Sequence, residues 1–290
     1  MGMFINTNVG ALNANRNLNF NNTQMGKTME KLSSGFRINR AADDAAGLAI
    51  SEKMRFQING LTQAQRNAQD GISLIQTAEG ALTEVHSMLQ RLNTLANQAA
   101  NGTYDKTDRA KIQLEVNELV GEISNIAGTV NFNGINLLNN SASVDFQIGS
   151  DANTTISISL KSLTPSDLGA ADTAATSGAS AIAGLKLSDL TVEGSGATNA
   201  NAAIAAIKAA IETVSEQRAT FGAVQNRLEH TVNNLGVMVE NLSASESRIR
   251  DADMATEMTA FTKNQILVQA GTAMLAQANS APQSVLKLLG

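Results

Sequence analysis

Residues 204–249 read IAAIKAAIETVSEQRATFGAVQNRLEHTVNNLGVMVENLSASESRI, and an apolar side chain recurs in this stretch at every seventh position. The residues at this spacing are Ile207, Val214, Phe221, Leu228, Leu235, Leu242 and Ile249. A second row, three residues earlier, runs from Ile204 to Glu246 and is apolar at four of its seven positions. A heptad repeat sustained over this length predicts one long coiled-coil-like helix, about 70 Å long at 1.5 Å per residue.

Two further helices are predicted in the first half of the chain. The first has apolar residues seven apart at Leu61, Ala68, Ile75, Leu82, Leu89 and Ala96. Its partner row starts at Ile58 and Ile72 and drifts to Val85 and Leu92, as expected when a nearly straight helix is compared with a strict heptad. The pair Asn101-Gly102 ends this helix.

The next helix has apolar residues in alternating steps of four and three, at Ile112, Val116, Leu119, Ile123 and Ile126. The three helical stripes can bury one another. The bundle is therefore predicted to form from both halves of the chain.

Between these helices the apolar period changes to two. Val144, Phe146 and Ile148 alternate on one side of a polar turn, and Ile156, Ile158 and Leu160 alternate on the other, which predicts a β-hairpin. Residues 170–203, rich in Ala, Gly, Ser, Thr and Asn, are interpreted as a variable insert. The predicted fold class is mainly α: a long antiparallel coiled-coil-like helical bundle built from both chain ends, with a small β-hairpin region in the middle.

Composition argues against several classes of function. The net charge is −5 and no Lys/Arg cluster is present, so we expect no nucleic acid partner. No apolar run reaches the 18 residues of a membrane span, and residues 1–10 lack the basic region of a secretory signal, so we expect no membrane insertion and export by an unprocessed route.

Catalytic and metal sites are also not expected. The chain has no Cys and no His-Glu-x-x-His motif, while His86 and His230 lie on different helices without an acid constellation. Asp251, Asp253 and Glu257 match only part of a calcium loop and are interpreted as charges at a helix junction. We therefore expect no enzyme activity and no cofactor.

Both ends of the chain carry apolar stripes but few charges: one charged side chain in residues 1–26 and two in residues 258–290. The apolar residues of these arms are Ile5, Val9 and Leu12 at the first end and Met258, Phe261, Val268 and Leu275 at the second. Ordering the backbone costs about 1 to 2 kcal/mol per residue, which one molecule offers little apolar contact to offset. We expect the arms to be disordered in the monomer and to fold on assembly.

Several blocks of sequence resemble a known family. They are FINTN at 4–8, KLSSGFRIN at 31–39, ADDAAGLAI at 42–50, NFNG at 131–134, SRIRDADMATE at 247–257, QILVQAG at 265–271 and LAQAN at 275–279. These blocks are similar to those of the bacterial flagellins, and the resemblance covers about residues 3–165 and 203–290.

The resemblance implies a structural subunit that polymerises with copies of itself into the flagellar filament and reaches the extracellular flagellum through the type III export channel. The segments it implies are an N-terminal arm (1–44), the first half of a helical rod (45–140), the hairpin with the variable insert (141–202), the C-terminal rod helix (203–250) and a C-terminal arm (251–290).

The resemblance also implies partners. A flagellin export chaperone is expected on the C-terminal arm, and hook-associated and cap proteins at the filament ends. The apolar residues expected to bind the chaperone are Ile266, Leu267, Leu275, Val285 and Leu286.

Host Toll-like receptor 5 is a further partner that the resemblance implies. The family's contact pattern appears as Leu89-Gln90-Arg91, Leu95-Ala96 and Ile112-Gln113-Leu114-Glu115. The contact residues carried over are Arg91, Leu95, Gln98 and Glu115. Arg91, Leu95 and Gln98 fall at heptad positions away from the apolar row, which predicts an exposed stripe with Leu95 as its apolar anchor.

Three alternatives remain at this point. The junction protein between hook and filament shares these end sequences in weaker form. A free secreted coiled-coil protein that binds a receptor fits the heptads, and an intracellular scaffold fits them less well, since scaffolds seldom have arms so poor in charge.

Overall fold

The computed structural model describes residues 8–168 and 197–289, with side chains described as far as residue 280. Within these residues the helices are α1 (Val9–Ser34), α2 (Ala45–Ala100), α3 (Lys106–Thr129), α4 (Ala197–Arg250) and α5 (Met254–Leu289). The strands are β1 (Asn131–Phe132), β2 (Ile135–Asn136), β3 (Ser143–Gln147) and β4 (Thr155–Ser159). The predicted fold class is confirmed.

The chain divides into two compact units. The terminal unit comprises residues 1–58 with 239–290, and the central unit comprises residues 59–238. Both boundaries fall inside long helices, α2 and α4, rather than at their ends. The five segments inferred from the sequence thus stay a prediction.

The core of the central unit joins α2, α3, α4 and the β3–β4 hairpin. The predicted row of α2, from Leu61 to Ala96, is buried at all of its positions, and that of α4 is buried from Ile207 to Leu235. The ion pair Glu79–Arg218, at 3.4 Å, links α2 to α4. These rows confirm the two heptad predictions within the central unit.

The predicted partner row of α2 is wrong at its start, because Ile58 and Ile72 are only half-buried. The second buried row is instead Ala64, Gly71, Ala78, Val85, Leu92 and Ala99. Its small residues let other chain segments approach closely: a Cβ added at Gly71 would lie 3.2 Å from Leu228 and 3.3 Å from Phe146. Hydrophobicity patterns miss such a row because Ala and Gly contribute little to them.

The predicted hairpin is confirmed in position, and the structure gives its register. β3 and β4 pair antiparallel with Val144 opposite Ile158 and Phe146 opposite Ile156. Side-chain amides fasten the hairpin to the helices, since Asn67 of α2 donates to the Gln147 carbonyl at 3.0 Å. The Gln217 amide of α4 donates to the Ser159 carbonyl at 2.9 Å.

A second hairpin, β1–β2, was not predicted from the sequence. Its turn is Asn133-Gly134, with positive φ angles of 49° and 81°. Asn-Gly is the strongest short signal for a two-residue hairpin turn, because both positions tolerate positive φ. The signal was therefore present within the NFNG block.

Helix α4 begins at Ala197, so residues 197–202, which were predicted to belong to the insert, are helical. This correction follows from their Ala content, since Ala has the highest helix propensity and Ala200 and Ala203 are buried in the core. The rest of the predicted insert, from 170, lies outside the described residues. None of the described helices has the length and hydropathy needed to cross a membrane.

Candidate assembly surface

Helices α1 and α5 pair along a heptad seam in the terminal unit. The α1 residues turned toward the seam are at least half-buried and alternate in steps of three and four: Ala11, Ala14, Leu18, Asn21, Met25, Thr28 and Leu32. The corresponding half-buried α5 residues are Glu257, Phe261, Asn264, Val268, Gly271, Leu275 and Ala278. This spacing is that of a coiled-coil seam, although small and polar residues occupy much of it.

Contacts near both ends of the seam define an antiparallel register. The Asn8 amide donates to the Ala278 carbonyl at 2.7 Å. At the other end the Lys31 ammonium lies 3.2 Å from the Glu257 carboxylate, with side chains 28% and 16% exposed. Between them, Gly271 faces Leu18, where an added Cβ would lie 3.2 Å from Leu18 Cδ1.

Local capping fixes where these helices begin and end. The Asn8 side chain caps α1 by accepting from the Ala11 amide at 3.0 Å, and Gly35, with φ of 75°, closes the helix in the left-handed conformation. Asp253 caps α5 by accepting from the Thr256 hydroxyl and the Ala255 amide, both at 2.9 Å. The hydrogen bond from the Thr256 hydroxyl, followed by those from backbone amides, holds the pKa of Asp253 below its usual value.

The three acids that partly match a calcium loop have separate partners. Asp251 accepts from the Ser247 hydroxyl at 2.6 Å, Asp253 caps α5, and Glu257 pairs with Lys31. In the part of the chain that the structure describes, no group of three His, Asp or Glu residues could hold a metal ion. These acids stabilise helix ends and the arm pair.

A compact junction joins the ends of α1 and α4. The Arg37 amide donates to the Arg250 carbonyl at 2.7 Å, and the Ala252 amide donates to the Gly35 carbonyl at 2.9 Å. The Arg250 guanidinium also reaches Glu52 of α2, at 2.8 Å. The sequence blocks at 31–39 and 247–257 therefore meet in space and orient the two arms.

Helices α1 and α5 both carry large exposed apolar side chains. On α1 these are Val9, Leu12, Phe20 and Met29. On α5 these are Met254, Met258, Ile266, Leu267 and Met274. We call these nine exposed residues the outward arm face; Met254 belongs to it by exposure, since it continues the seam spacing three residues before Glu257 at the start of α5. Such a concentration of exposed apolar residues is typical of an interaction surface.

The single apolar stripe predicted for the C-terminal arm is thus divided in two. Val9, Leu12 and Met258 lie on the outward arm face, whereas Phe261, Val268 and Leu275 lie on the seam. The prediction of one stripe was wrong because residues three or four apart can belong to either of two neighbouring rows of a helix. Ile5 lies outside the described residues.

The residues predicted to bind a chaperone are divided in a similar way. Ile266 and Leu267 are exposed on the outward arm face, and Leu275 is half-buried on the seam. Val285 and Leu286 belong to α5, but their side chains lie outside the described residues.

The residues predicted to contact a receptor lie on α2 and α3 of the central unit. Arg91 and Glu115 form an exposed ion pair, with Arg91 Nη2 2.7 Å from Glu115 Oε1. The Gln98 amide donates to the Tyr104 hydroxyl at 3.0 Å. The structure therefore brings Arg91 and Glu115 together across the two helices.

The predicted exposure of Leu95 is wrong, since only 2% of this residue is accessible. Leu95 continues a third row of α2, seven residues apart, in which Leu74 is buried and Ala81 and Met88 are partly buried. A two-row heptad describes a helix with one neighbour, but α2 packs against α3, α4 and the hairpin and buries a wider face.

An exposed apolar residue next to the ion pair was missed. Leu114, beside Glu115 on α3, is 66% exposed. The sequence indicated this exposure, because Leu114 lies off the apolar stripe of α3, between the buried Ile112 and Val116.

The paired charge-poor arms, their outward apolar faces and the heptad core define a structural helical subunit built to associate with other chains. Comparison with known proteins gives the family. Residues 5–143 match the bacterial flagellin N-terminal helical region, and residues 204–289 match the bacterial flagellin C-terminal helical region.

Curated relatives match along the whole length. A flagellin of Bacillus subtilis is 52% identical and one of Halalkalibacterium halodurans 54% identical, each alignment covering 99% of this chain and 100% of the relative. A crystal structure of Bacillus cereus flagellin is 32% identical, covers 59% of this chain and 88% of that one, and gives a TM-score of 0.47. The chain belongs to the bacterial flagellin family and is a structural subunit of the flagellar filament.

Proposed function

We propose that the outward arm face is the surface through which subunits polymerise, and that the arms fold fully only against neighbouring subunits. The supporting observation is the set of nine exposed apolar side chains on a helix pair whose seam is already occupied. Burying apolar surface on assembly stabilises the polymer by about 25 cal/mol per Å². This would favour polymerisation without any charged contact.

Seeded polymerisation tests this proposal. Leu12→Glu should stop elongation, because assembly would bury an unpaired carboxylate. Leu114→Glu is the matched control, since it makes the same change at a similarly exposed Leu of the central unit and should elongate normally. Normal elongation by Leu12→Glu would contradict the proposal.

The five segments predicted from the sequence serve this role: arms at 1–44 and 251–290 for the inner filament, rod segments at 45–140 and 203–250, and the hairpin and insert between them. The arrangement is proposed to be purely structural, without enzyme activity. In support, His86 contacts Gln90 at 2.9 Å on α2, whereas His230 lies on α4.

Export requires that the outward arm face be covered before assembly. We propose that the flagellin export chaperone binds the C-terminal arm, where Ile266 and Leu267 are exposed, and that hook-associated and cap proteins contact the same arms at the filament ends. Ile266→Ser with Leu267→Ser should weaken chaperone binding in calorimetry. Ser substitution at the exposed Val237 and Met238 of the central unit is the control.

A second function, recognition by host Toll-like receptor 5, is favoured by the exposed Arg91–Glu115 pair. We propose that Leu114, rather than Leu95, supplies the apolar contact beside this pair, with Gln98 at its edge. In a cell reporter assay, Arg91→Ala and Leu114→Ala should lower the signal, while Lys161→Ala, which breaks an exposed ion pair elsewhere on the central unit, should not. Full activity of both test variants would contradict this face.

A further inference from the structure

Methionine is unevenly distributed in this chain. Eight of its ten Met, namely Met1, Met3, Met25, Met29, Met54, Met254, Met258 and Met274, fall within residues 1–58 and 239–290. Four of them, Met29, Met254, Met258 and Met274, lie on the outward arm face and are between 47% and 64% exposed. By contrast, Met25 on the seam and Met88 in the central unit are half-buried.

Among the described methionines these four have the largest exposed fractions, followed by Met238 of the central unit at 43%. The sequence contains no Cys and no Trp, so sulfur chemistry in this protein is methionine chemistry. The other members of the outward arm face are Val, Leu, Ile and Phe, which peroxide does not attack under mild conditions. Oxidation converts an apolar, flexible side chain into a polar one and disrupts Met-rich interfaces.

We propose that Met29, Met254, Met258 and Met274 are oxidation sites that make filament growth sensitive to hydrogen peroxide. The inference rests on the proposed assembly role of the outward arm face. The sulfur lone pair attacks one peroxide oxygen, so that an S–O bond forms, the O–O bond breaks and water leaves. The sulfur is oxidised by two electrons and the peroxide is reduced by two.

The positions of the four residues indicate how oxidation would act. The Lys31–Glu257 contact places Met29 and Met258 near the same end of the α1–α5 pair, one helical turn from Met254. Met274 lies toward the other end, three residues after Gly271, which faces Leu18. A sulfoxide oxygen at any of them would be buried unpaired on assembly, at a free-energy cost that slows the addition of a subunit. The seam, with Phe261, Val268 and Leu275, would remain intact.

The test uses full-length subunits treated with hydrogen peroxide until peptide mass spectrometry shows four sulfoxides at these positions. Elongation from untreated seeds should then be at least about tenfold slower, equivalent to about 1.4 kcal/mol of additional activation free energy for the addition of a subunit. A methionine sulfoxide reductase should restore it. Elongation of the oxidised subunit at the untreated rate would overturn the proposal.

Substitutions locate the effect. The fourfold variant Met29→Leu, Met254→Leu, Met258→Leu and Met274→Leu, compared with its own untreated rate, should elongate equally well after peroxide, since Leu replaces Met with little change in volume. The matched control Met25→Leu with Met88→Leu should remain sensitive. Equal inhibition of both variants would overturn the assignment.

The Leu12→Glu experiment separates this inference from the assembly proposal on which it rests. If Leu12→Glu stops elongation but fourfold oxidation does not, only the oxidation sites are wrong. If Leu12→Glu elongates normally, the outward arm face is not the assembly surface, and the proposed function is wrong.

Discussion

The guanidinium of Arg250 stacks on the ring of Phe36, with 4.8 Å between Cζ and the ring centroid. Only 13% of the Arg250 side chain is exposed, and its Nη1 atom also lies 2.8 Å from Glu52. One side chain at the end of α4 therefore contacts the residue after the α1 cap and the second turn of α2. This contact connects the two ends of the sequence within the terminal unit.

Replacing Arg250 by Lys should destabilise the terminal unit by about 1 to 2 kcal/mol. Lys keeps the charge but loses the planar group that stacks on Phe36 and reaches Glu52 at once. Denaturant unfolding followed by far-UV circular dichroism measures the change. Arg248→Lys, at an exposed neighbouring position, is the control, and equal midpoints for the two variants would show that the stacking contributes nothing.

Truncating Leu95 should lower stability far more than truncating Leu114. Leu95→Ala leaves a cavity in the core and should cost about 2 to 5 kcal/mol of unfolding free energy. Leu114→Ala removes an exposed side chain and should change stability by less than about 0.5 kcal/mol. Chemical denaturation of the two variants decides the matter. A small effect at Leu95 would mean that the residue is exposed in solution.

Adding a methyl group at two glycines of α2 should change the free energy of unfolding in opposite directions. Gly80 has no neighbour within 4 Å of an added Cβ, so Gly80→Ala should stabilise the protein by about 1 kcal/mol through helix propensity. Gly71→Ala gains the same propensity but presses against Leu228 and Phe146, and overpacking of this kind costs about 1 to 3 kcal/mol. We expect a lower melting temperature for Gly71→Ala than for Gly80→Ala. The reverse order would show that the hairpin and α4 move away at little cost.

Acid should weaken the start of α5 through Asp253. Because hydrogen bonds from the Thr256 hydroxyl and nearby amides lower the pKa of Asp253 in the folded state, its contribution is present above the ordinary Asp value of 3.8. The contribution is lost as the pH falls from that value through the lower folded pKa. Asp253→Asn keeps a good N-cap without the titration. Helix content measured by circular dichroism from about pH 7 to pH 2 should therefore fall less steeply for the variant than for the wild type. Parallel curves would exclude Asp253 as the source of the acid sensitivity.

The residues that sequence reasoning placed correctly are those with large side chains in a strict repeat. The row from Ile207 to Leu235 is buried, and the alternating runs that contain Val144 and Ile156 form the two strands of a hairpin, as predicted. In both cases the hydrophobic signal is strong and one face of the element is buried, so that the period alone specifies which residues point inward.

The residues that it missed or placed wrongly have surroundings that no local pattern contains. Gly71 and Ala78 are buried because other segments approach α2 there, although their own hydrophobicity is slight. Leu95 is buried because α2 has several neighbours, and Met258 and Phe261 are assigned to different faces by the position of α1.

For this protein the amino-acid sequence by itself determined the family, the long helices, the position of the hairpin and the charge-poor arms. Only the tertiary structure decided which side of each arm faces its partner helix, that Arg250 reaches Phe36 and Glu52, and that Leu114 rather than Leu95 is accessible. The physical reason is that periodicity reports how many faces a helix can bury, whereas burial itself depends on how many neighbours the rest of the chain brings to it.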